Sequence, residues 1–429
     1  MARFATLRAM TDEHTFRIDH YFDWTEDWAR TPDGHYYSNK APGPTLIAFP
    51  LFWVIDKSLY SIQEKHPDEQ GRRQAPRGIH KVAISTIFQL LPFLIFSLLA
   101  LSAAYPQGVS APAYFLGLLA ILFGNTAAVL MNSYMGNPFA GMAMMGVAYF
   151  FLRRQLGWMS FCFGWVVLSD YMEAALVIPF AFLLWPEIRE RGFLKVAKSV
   201  AGGALIPAVL WCWYHTVCFG SPLSLPFKYD VQALAGKVDD VGGLWGKISF
   251  LPKPQWLWEL LFGSSRGVLF TQPWLFICLV LAPLCLKPTD TRLRRLFWFT
   301  ASSFVILLWL NAGFPGWHGG GSPGPRYLCA ALPVFGLFVP CLFARGPRSF
   351  RALLALSVFS SLVLRALVYA TWILPPPEPI WNYYLRAIAS PKEWGLLTLF
   401  TVAISSAFYF FQRRAMKLNS QGQTTFANR

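Results

Sequence analysis

Charge is scarce in this chain. Only 14% of its 429 residues are Asp, Glu, Lys or Arg, whereas a soluble domain carries about 25% to face water. With 55% hydrophobic and 17% aromatic residues and a mean hydropathy of +0.40, much of the surface must face hydrocarbon, which makes the chain a polytopic membrane protein. Acid is scarcer than base, 22 residues against 37, and unevenly placed. Residues 1–81 hold 11 of the acidic and 11 of the basic residues, so the rest of the chain owns the whole net charge of +15. In membrane proteins Lys and Arg gather in cytoplasmic loops, so this excess is a topology signal and calls for no nucleic acid.

Other absences narrow the chemistry. The seven cysteines, at 162, 212, 218, 278, 285, 329 and 341, form no CxxC pair and no Cys/His ligand spacing; nearly all sit in apolar runs and read as small core hydrophobes. No GxxxxGK[ST], HExxH or GxSxG pattern occurs, which removes support for ATP-driven transport within this chain and for common hydrolase chemistry. No cofactor is called for, and a divalent cation has no support in the sequence.

What is present is a series of apolar runs. From Val82 to Leu152 there is no Asp, Glu, Lys, Arg or His, room for about three spans of roughly 20 residues, divided near 106–112 and 125–138. Further spans are expected near 156–169, 172–185, 196–216, 267–286, 296–313, 327–344, 351–372 and 394–412, about eleven helices in all. Basic clusters at Arg153/Arg154, Arg189/Arg191/Lys195/Lys198, Lys287/Arg292/Arg294/Arg295, Arg345/Arg348/Arg351 and Arg413/Arg414/Lys417 are each separated from the next by two helices. All can therefore be cytoplasmic together, with a cytoplasmic tail at 416–429 and a transmembrane region at 82–415. The long connection 217–265 then lies outside, as does the segment 1–81, in what reads as an integral protein of a bacterial inner membrane. Lys65, Arg72, Arg73, Arg77 and Lys81 sit awkwardly with that placement. The run Thr45–Ile55 is about 11 residues, interrupted by Pro50, too short to span and suited to an interfacial helix at 44–60. A first transmembrane helix upstream of Met1 is accordingly expected.

The polar first segment is rich in acids and aromatics: Asp19, Asp23, Glu26, Asp27 and Asp33 alternate with Trp24, Trp28, Tyr36 and Tyr37, and a Pro-Asp-Gly turn stands at 32–34. Carboxylates beside aromatic rings suit a sugar, because pyranose faces stack on rings while hydroxyls bond acids; interfacial aromatic belts have the same composition for anchoring reasons alone. Downstream, Phe-Gly-Ser-Pro (219–222) is followed by Lys228, and Leu-Phe-Gly-Ser-Ser-Arg-Gly (261–267) contains Arg266. In the stretch 316–327, Gly-Trp-His-Gly-Gly-Gly-Ser-Pro-Gly-Pro-Arg-Tyr, five glycines and two prolines surround Arg326. So permissive a backbone lets N–H groups approach an anion, with Arg326 completing the site; a tight turn with a snorkelling Arg is the plainer alternative. Asp170 and Glu173, three apart at the start of a span, share a helical face, although Asp170 can equally cap the helix.

These motifs in this order, Asp-Gly-His-Tyr-Tyr-Ser-Asn-Lys-Ala-Pro-Gly (33–43), then 219–222, Ser-Ser-Arg-Gly (264–267) and Gly-Gly-Ser-Pro-Gly-Pro-Arg-Tyr (320–327), resemble polytopic membrane proteins of the GT-C glycosyltransferase superfamily. The likeness is greatest to the family 39 and dolichyl-phosphate-mannose-mannosyltransferase-like groups. The resemblance implies an all-α polytopic fold and a polyprenyl-phosphate sugar donor drawn from membrane lipid. It also implies a base or orienting acid in the first outer loop, matched here by Asp19 or Asp33. Lys40, Arg266 and Arg326 would hold the donor phosphate, with Lys228 in reserve. Tyr36, Tyr37, Trp317 and His318 would contact sugar or acceptor, Asp170 and Glu173 being secondary candidates. The rival reading is a transporter or flippase of a lipid-linked or amphiphilic substrate, using the same groups without chemistry.

Overall fold

The computed structural model describes residues 1–58, 79–229, 249, 251–320, 322 and 324–371, the last eight by backbone only. The expected span near 394–412, the tail, the cluster at 413–417, the cations from Lys65 to Arg77 and the middle of the outer connection lie outside the described residues.

Residues 1–58 form a small lobe. Helix α1 (Ala2–Asp12) leads to an antiparallel hairpin of β1 (Trp28–Arg30) and β2 (Tyr36–Ser38), with Ala29 opposite Tyr37. The Pro-Asp-Gly turn closes it: Gly34, at φ 90°, donates its N–H to Thr31 O at 2.9 Å. Helix α2 (Gly43–Ser58) follows, 16 residues with Pro50 inside. Nothing in the sequence announces α1, since its stability is tertiary. Phe4, Ala5, Leu7 and Ala9 are buried, and the buried Arg8 reaches Asp56 of α2 at 2.7 Å while its guanidinium lies over Phe52.

The remaining described chain is a helical bundle. In order it contains α3 (His80–Ala104), with a π-helical stretch at Thr86–Leu90, α4 (Ala111–Leu122), α5 (Thr126–Leu130), α6 (Gly136–Leu152) and α7 (Leu156–Ser169). Then come α8 (Tyr171–Arg191), α9 (Phe193–Phe219), α10 (Pro254–Phe262), α11 (Val268–Thr271), α12 (Trp274–Cys285) and α13 (Thr291–Ala312). A 3-10 turn at Arg326–Leu328 precedes α14 (Leu332–Arg345) and α15 (Arg348–Thr371). Each span expected between 82 and 372 has a helical counterpart here. By length and composition α3, α8, α9 and α13 can each cross a membrane; α15 is 24 residues long, and several others are shorter or built from pieces, as at α11–α12, where Pro273 lacks the N–H a continuing helix needs. Helix α6 sits at the centre, buried almost throughout and packed against α3, α7 and α14.

One end of this bundle is basic. The buried Glu187 of α8 lies 3.0 Å from Arg191 and 3.9 Å from both Arg154 and Arg295, while Arg292 donates to Leu152 O at 3.0 Å. Clusters from three separate connections therefore meet at one end of the bundle, an arrangement that their spacing by pairs of helices allows. The 17 residues of α6 run from that end to the other, about 25 Å away at 1.5 Å per residue.

Candidate active site

At the opposite end, beside the first turn of α6, seven chain segments surround a cavity of about 270 Å³. Helix α1 contributes Arg3 and Phe4, the hairpin flanks contribute Asp27 and Lys40, and α3 contributes Lys81. Ser133, Tyr134, Met135 and Asn137 come from the entry to α6, Asp170 from the α7–α8 junction, and Arg326 and Tyr327 from the 3-10 turn after the Gly-rich loop. Such a convergence needs close backbone approach. A Cβ on Gly136 would stand 2.0 Å from Ser169 O and 2.6 Å from Arg3 Nη2, so only glycine lets α6 begin against the end of α7 with the Arg3 guanidinium between them.

Four cationic side chains thus face two carboxylates. Lys40 Nζ lies 2.7 Å from Asp27 Oδ1; burial works to raise the Asp27 carboxyl, but the charge and the bond of Lys40 outweigh it and hold the group below its usual range. Asp170 accepts from Asn137 Nδ2 at 3.0 Å and from the Met172 N–H at 3.4 Å, so it caps α8 and lines the cavity at once. The other three cations have no such partner: among the described residues no carboxylate stands within ion-pair distance of Arg3, Lys81 or Arg326. Among those residues Arg3 reaches only Ser169 O, at 3.5 Å, and Arg326 only Tyr327 Oη at 3.0 Å and Met135 Sδ at 3.8 Å. The Nε atoms of both are buried without a partner there. A cavity so furnished attracts an anion, and the planar guanidinium fork suits a phosphate or carboxylate.

Of the residues singled out by sequence, Lys40, Arg326 and Asp170 meet in this cavity. Asp19 and Asp33 do not line it. Asp19 accepts the Tyr36 N–H at 2.7 Å and sits 2.7 Å from His35 Nδ1, tying the lobe to β2, while Asp33 accepts the Thr31 hydroxyl inside the hairpin turn. Both oxygens of Asp19 and Oδ1 of Asp33 are thus engaged in holding the hairpin. Tyr36 stacks on Phe22 at 4.4 Å and Tyr37 is buried against Phe219. Trp317 stacks on Trp256, and His318 Nδ1 accepts the Gly320 N–H at 3.0 Å. Lys228 is exposed beside Tyr229. Glu173 is fully buried with neither carboxyl oxygen bonded among the described residues, outside the cavity lining. Arg266 is buried under the Gly-rich loop, donating to its carbonyls.

The sequence does not single out Arg3 or Asn137, and it does not separate Asp27 from its acidic neighbours. Lys81 stands out there only as one of five cations that fit awkwardly with the expected topology, and the structure places it at the cavity. No group of three His, Cys, Asp or Glu among the described residues is placed to hold a metal.

No protein-family model matches the chain, and no curated protein matches it in sequence. The fold has a counterpart. It is similar to the crystal structure of ArnT from Cupriavidus metallidurans, determined bound to undecaprenyl phosphate, with a TM-score of 0.52 and 14% identity over 97% of this chain and 68% of that one. The chain therefore shares the polytopic helical membrane fold of that protein.

Proposed function

We propose that the protein is a membrane glycosyltransferase that transfers a sugar from a polyprenyl-phosphate donor to an acceptor on the extracytoplasmic side of a bacterial inner membrane. The observation that carries this reading is the cluster of Arg3, Lys81 and Arg326 around a cavity with no carboxylate among the described residues paired to any of them. A lipid phosphate arriving in the membrane plane is an anion that such a cluster can hold, and the fold is shared with a protein crystallised with undecaprenyl phosphate.

In the reaction, an acceptor hydroxyl attacks the anomeric carbon, the bond from that carbon to the phosphate oxygen breaks, and the phosphate leaves carrying the electron pair. The hydroxyl proton passes to a carboxylate. We assign that role to Asp27, which is half open to solvent on the hairpin side, where a polar acceptor arrives, and which Lys40 keeps ionised. Asp170, fixed by Asn137 and the Met172 N–H, orients the sugar. Charge on the phosphate grows from one toward two as the bond breaks, so the cations stabilise the transition state more than the bound donor. Asp19 and Asp33, the acids suggested by motif, serve in this reading to build the hairpin that presents Asp27 and Lys40.

The test is transfer from a short-chain polyprenyl-phosphate sugar by the purified protein, with Asp27→Asn, Asp170→Asn, Asp19→Asn and Asp33→Asn beside wild type. Loss in the first two with smaller loss in the last two supports the assignment. Full transfer by Asp27→Asn and Asp170→Asn refutes it, and substrate translocation with no transfer by wild type would establish the transporter.

A further inference from the structure

Arg266, a candidate for the donor phosphate by motif, does not line the cavity, and its Ser-Ser-Arg-Gly stretch has no part in the reaction above. The residue is 4% exposed, and its Nη1 donates to two carbonyls of the Gly-rich loop, His318 O and, at 3.0 Å, Ser322 O. Between those carbonyls the loop turns through Gly319 and Gly320, at φ 68° and 62°. Two consecutive left-handed glycines make a segment with little conformational preference of its own. Bonds within this turn are few among the described residues: the Gly319 N–H donates to Gly316 O at 2.9 Å and the Gly320 N–H to His318 Nδ1 at 3.0 Å.

The far side of this loop is the wall against which Arg326 rests. A Cβ built on Gly319 would lie 3.0 Å from Arg326 Cγ and 3.2 Å from its Nε, so the bare glycine backbone and the arginine stem are in contact. The other contacts of Arg326, with Tyr327 Oη and Met135 Sδ, are to uncharged groups and leave its direction weakly held. The buried guanidinium of Arg266, the loop carbonyls, Gly319 and the Arg326 stem form one continuous chain of contacts ending in the cavity.

We infer that Arg266 is a positioning residue: it clamps the Gly-rich loop so that Gly319 holds the Arg326 guanidinium aimed at the donor phosphate. The inference rests on the phosphate reading of Arg326. Nη1 alone meets both carbonyls, and a lysine at 266 keeps the charge but carries its donor on a flexible stem with no planar head to fix it between them, so it should not replace the arginine.

The experiment measures binding of a short-chain polyprenyl monophosphate to the detergent-purified full chain, together with donor KM, kcat and melting temperature. The variants are Arg266→Lys, Arg266→Met, Gly319→Ala and Arg326→Ala, with the double variant Arg266→Met/Arg326→Ala. Arg266→Lys, Arg266→Met and Gly319→Ala are each expected to weaken polyprenyl monophosphate binding about tenfold and to lower kcat at least as much as they raise donor KM, because the displaced guanidinium favours the leaving phosphate over the bound donor. In the Arg326→Ala background Arg266→Met should change binding less than twofold, since two residues acting through one contact chain are not additive. Gly319→Ala leaves Arg266 itself unchanged and fills the space against Arg326 at the cost of some backbone strain at φ 68°, which the melting temperature reports, so it answers the question even where Arg266→Met fails to fold. Wild-type binding in Gly319→Ala and Arg266→Lys, or losses that add fully in the double variant, would overturn the positioning role. Wild-type binding in Arg326→Ala would instead overturn the phosphate reading beneath it.

Discussion

Arginines collect at both ends of α6, and their surroundings differ. At the Leu152 end, Arg154, Arg191 and Arg295 surround the buried Glu187, with Arg154 also paired to Glu190. At the Gly136 end, Arg3 and Arg326 are half-buried beside a cavity with no carboxylate partner among the described residues. Taking a charge out of water costs several kcal/mol unless something compensates it. At the first end the protein supplies the counter-charge itself; at the second, in the function proposed above, a ligand supplies it. Counting arginines does not separate a structural network from a binding site, whereas asking where each guanidinium finds its anion does.

The largest effect that would sharpen this contrast is on the chemistry. Asp27→Asn keeps size and hydrogen bonding but removes the proton acceptor, so transfer should fall by about 10² to 10⁴ while melting temperature stays near wild type. Next is Arg326→Ala, which should weaken prenyl-phosphate binding by about 2–4 kcal/mol in a titration, with Arg326→Lys losing less because a point charge remains. At the other end Glu187→Gln should do the reverse. Uncoupling three arginines from their shared buried acid should cost about 2 kcal/mol in unfolding stability with donor affinity unchanged; a loss of donor affinity there would break the comparison.

The smallest effect concerns pH. Asp27 has a folded pKa below its unfolded value of about 4, so its ion pair stabilises the fold above that value and the contribution is lost as pH falls through the folded pKa. Both partners are partly exposed, so the contribution is at most about 1 kcal/mol. The pH–rate profile should carry an acid limb below about pH 4, and Lys40→Met should move that limb to higher pH. A limb unmoved by the substitution would mean that Asp27 does not govern it.

Arg326 and Lys40 are legible in the sequence because each stands out within its own few residues: one arginine among five glycines, one lysine ahead of Ala-Pro-Gly. Arg3 and Asn137 are not. Arg3 sits in an N-terminal stretch with no motif, and its place in the cavity depends on α1 docking against α2 and on Gly136 leaving room for its guanidinium. The acids show the same limit. Asp19, Asp27 and Asp33 are equivalent by composition and neighbours, and the hairpin separates them, assigning Asp33 to the turn, Asp19 to the β2 backbone and Asp27 to the cavity.

By itself the sequence determined the solvent of this protein and the order of its apolar spans, and its spacing predicted that the basic loops gather at one end. Those properties follow from composition and spacing along the chain, since burial in hydrocarbon needs about 20 apolar residues in a row. Only the tertiary structure decided which charges keep company, because the cavity draws on seven segments from residue 1 to residue 327, and no local pattern records which of them will meet.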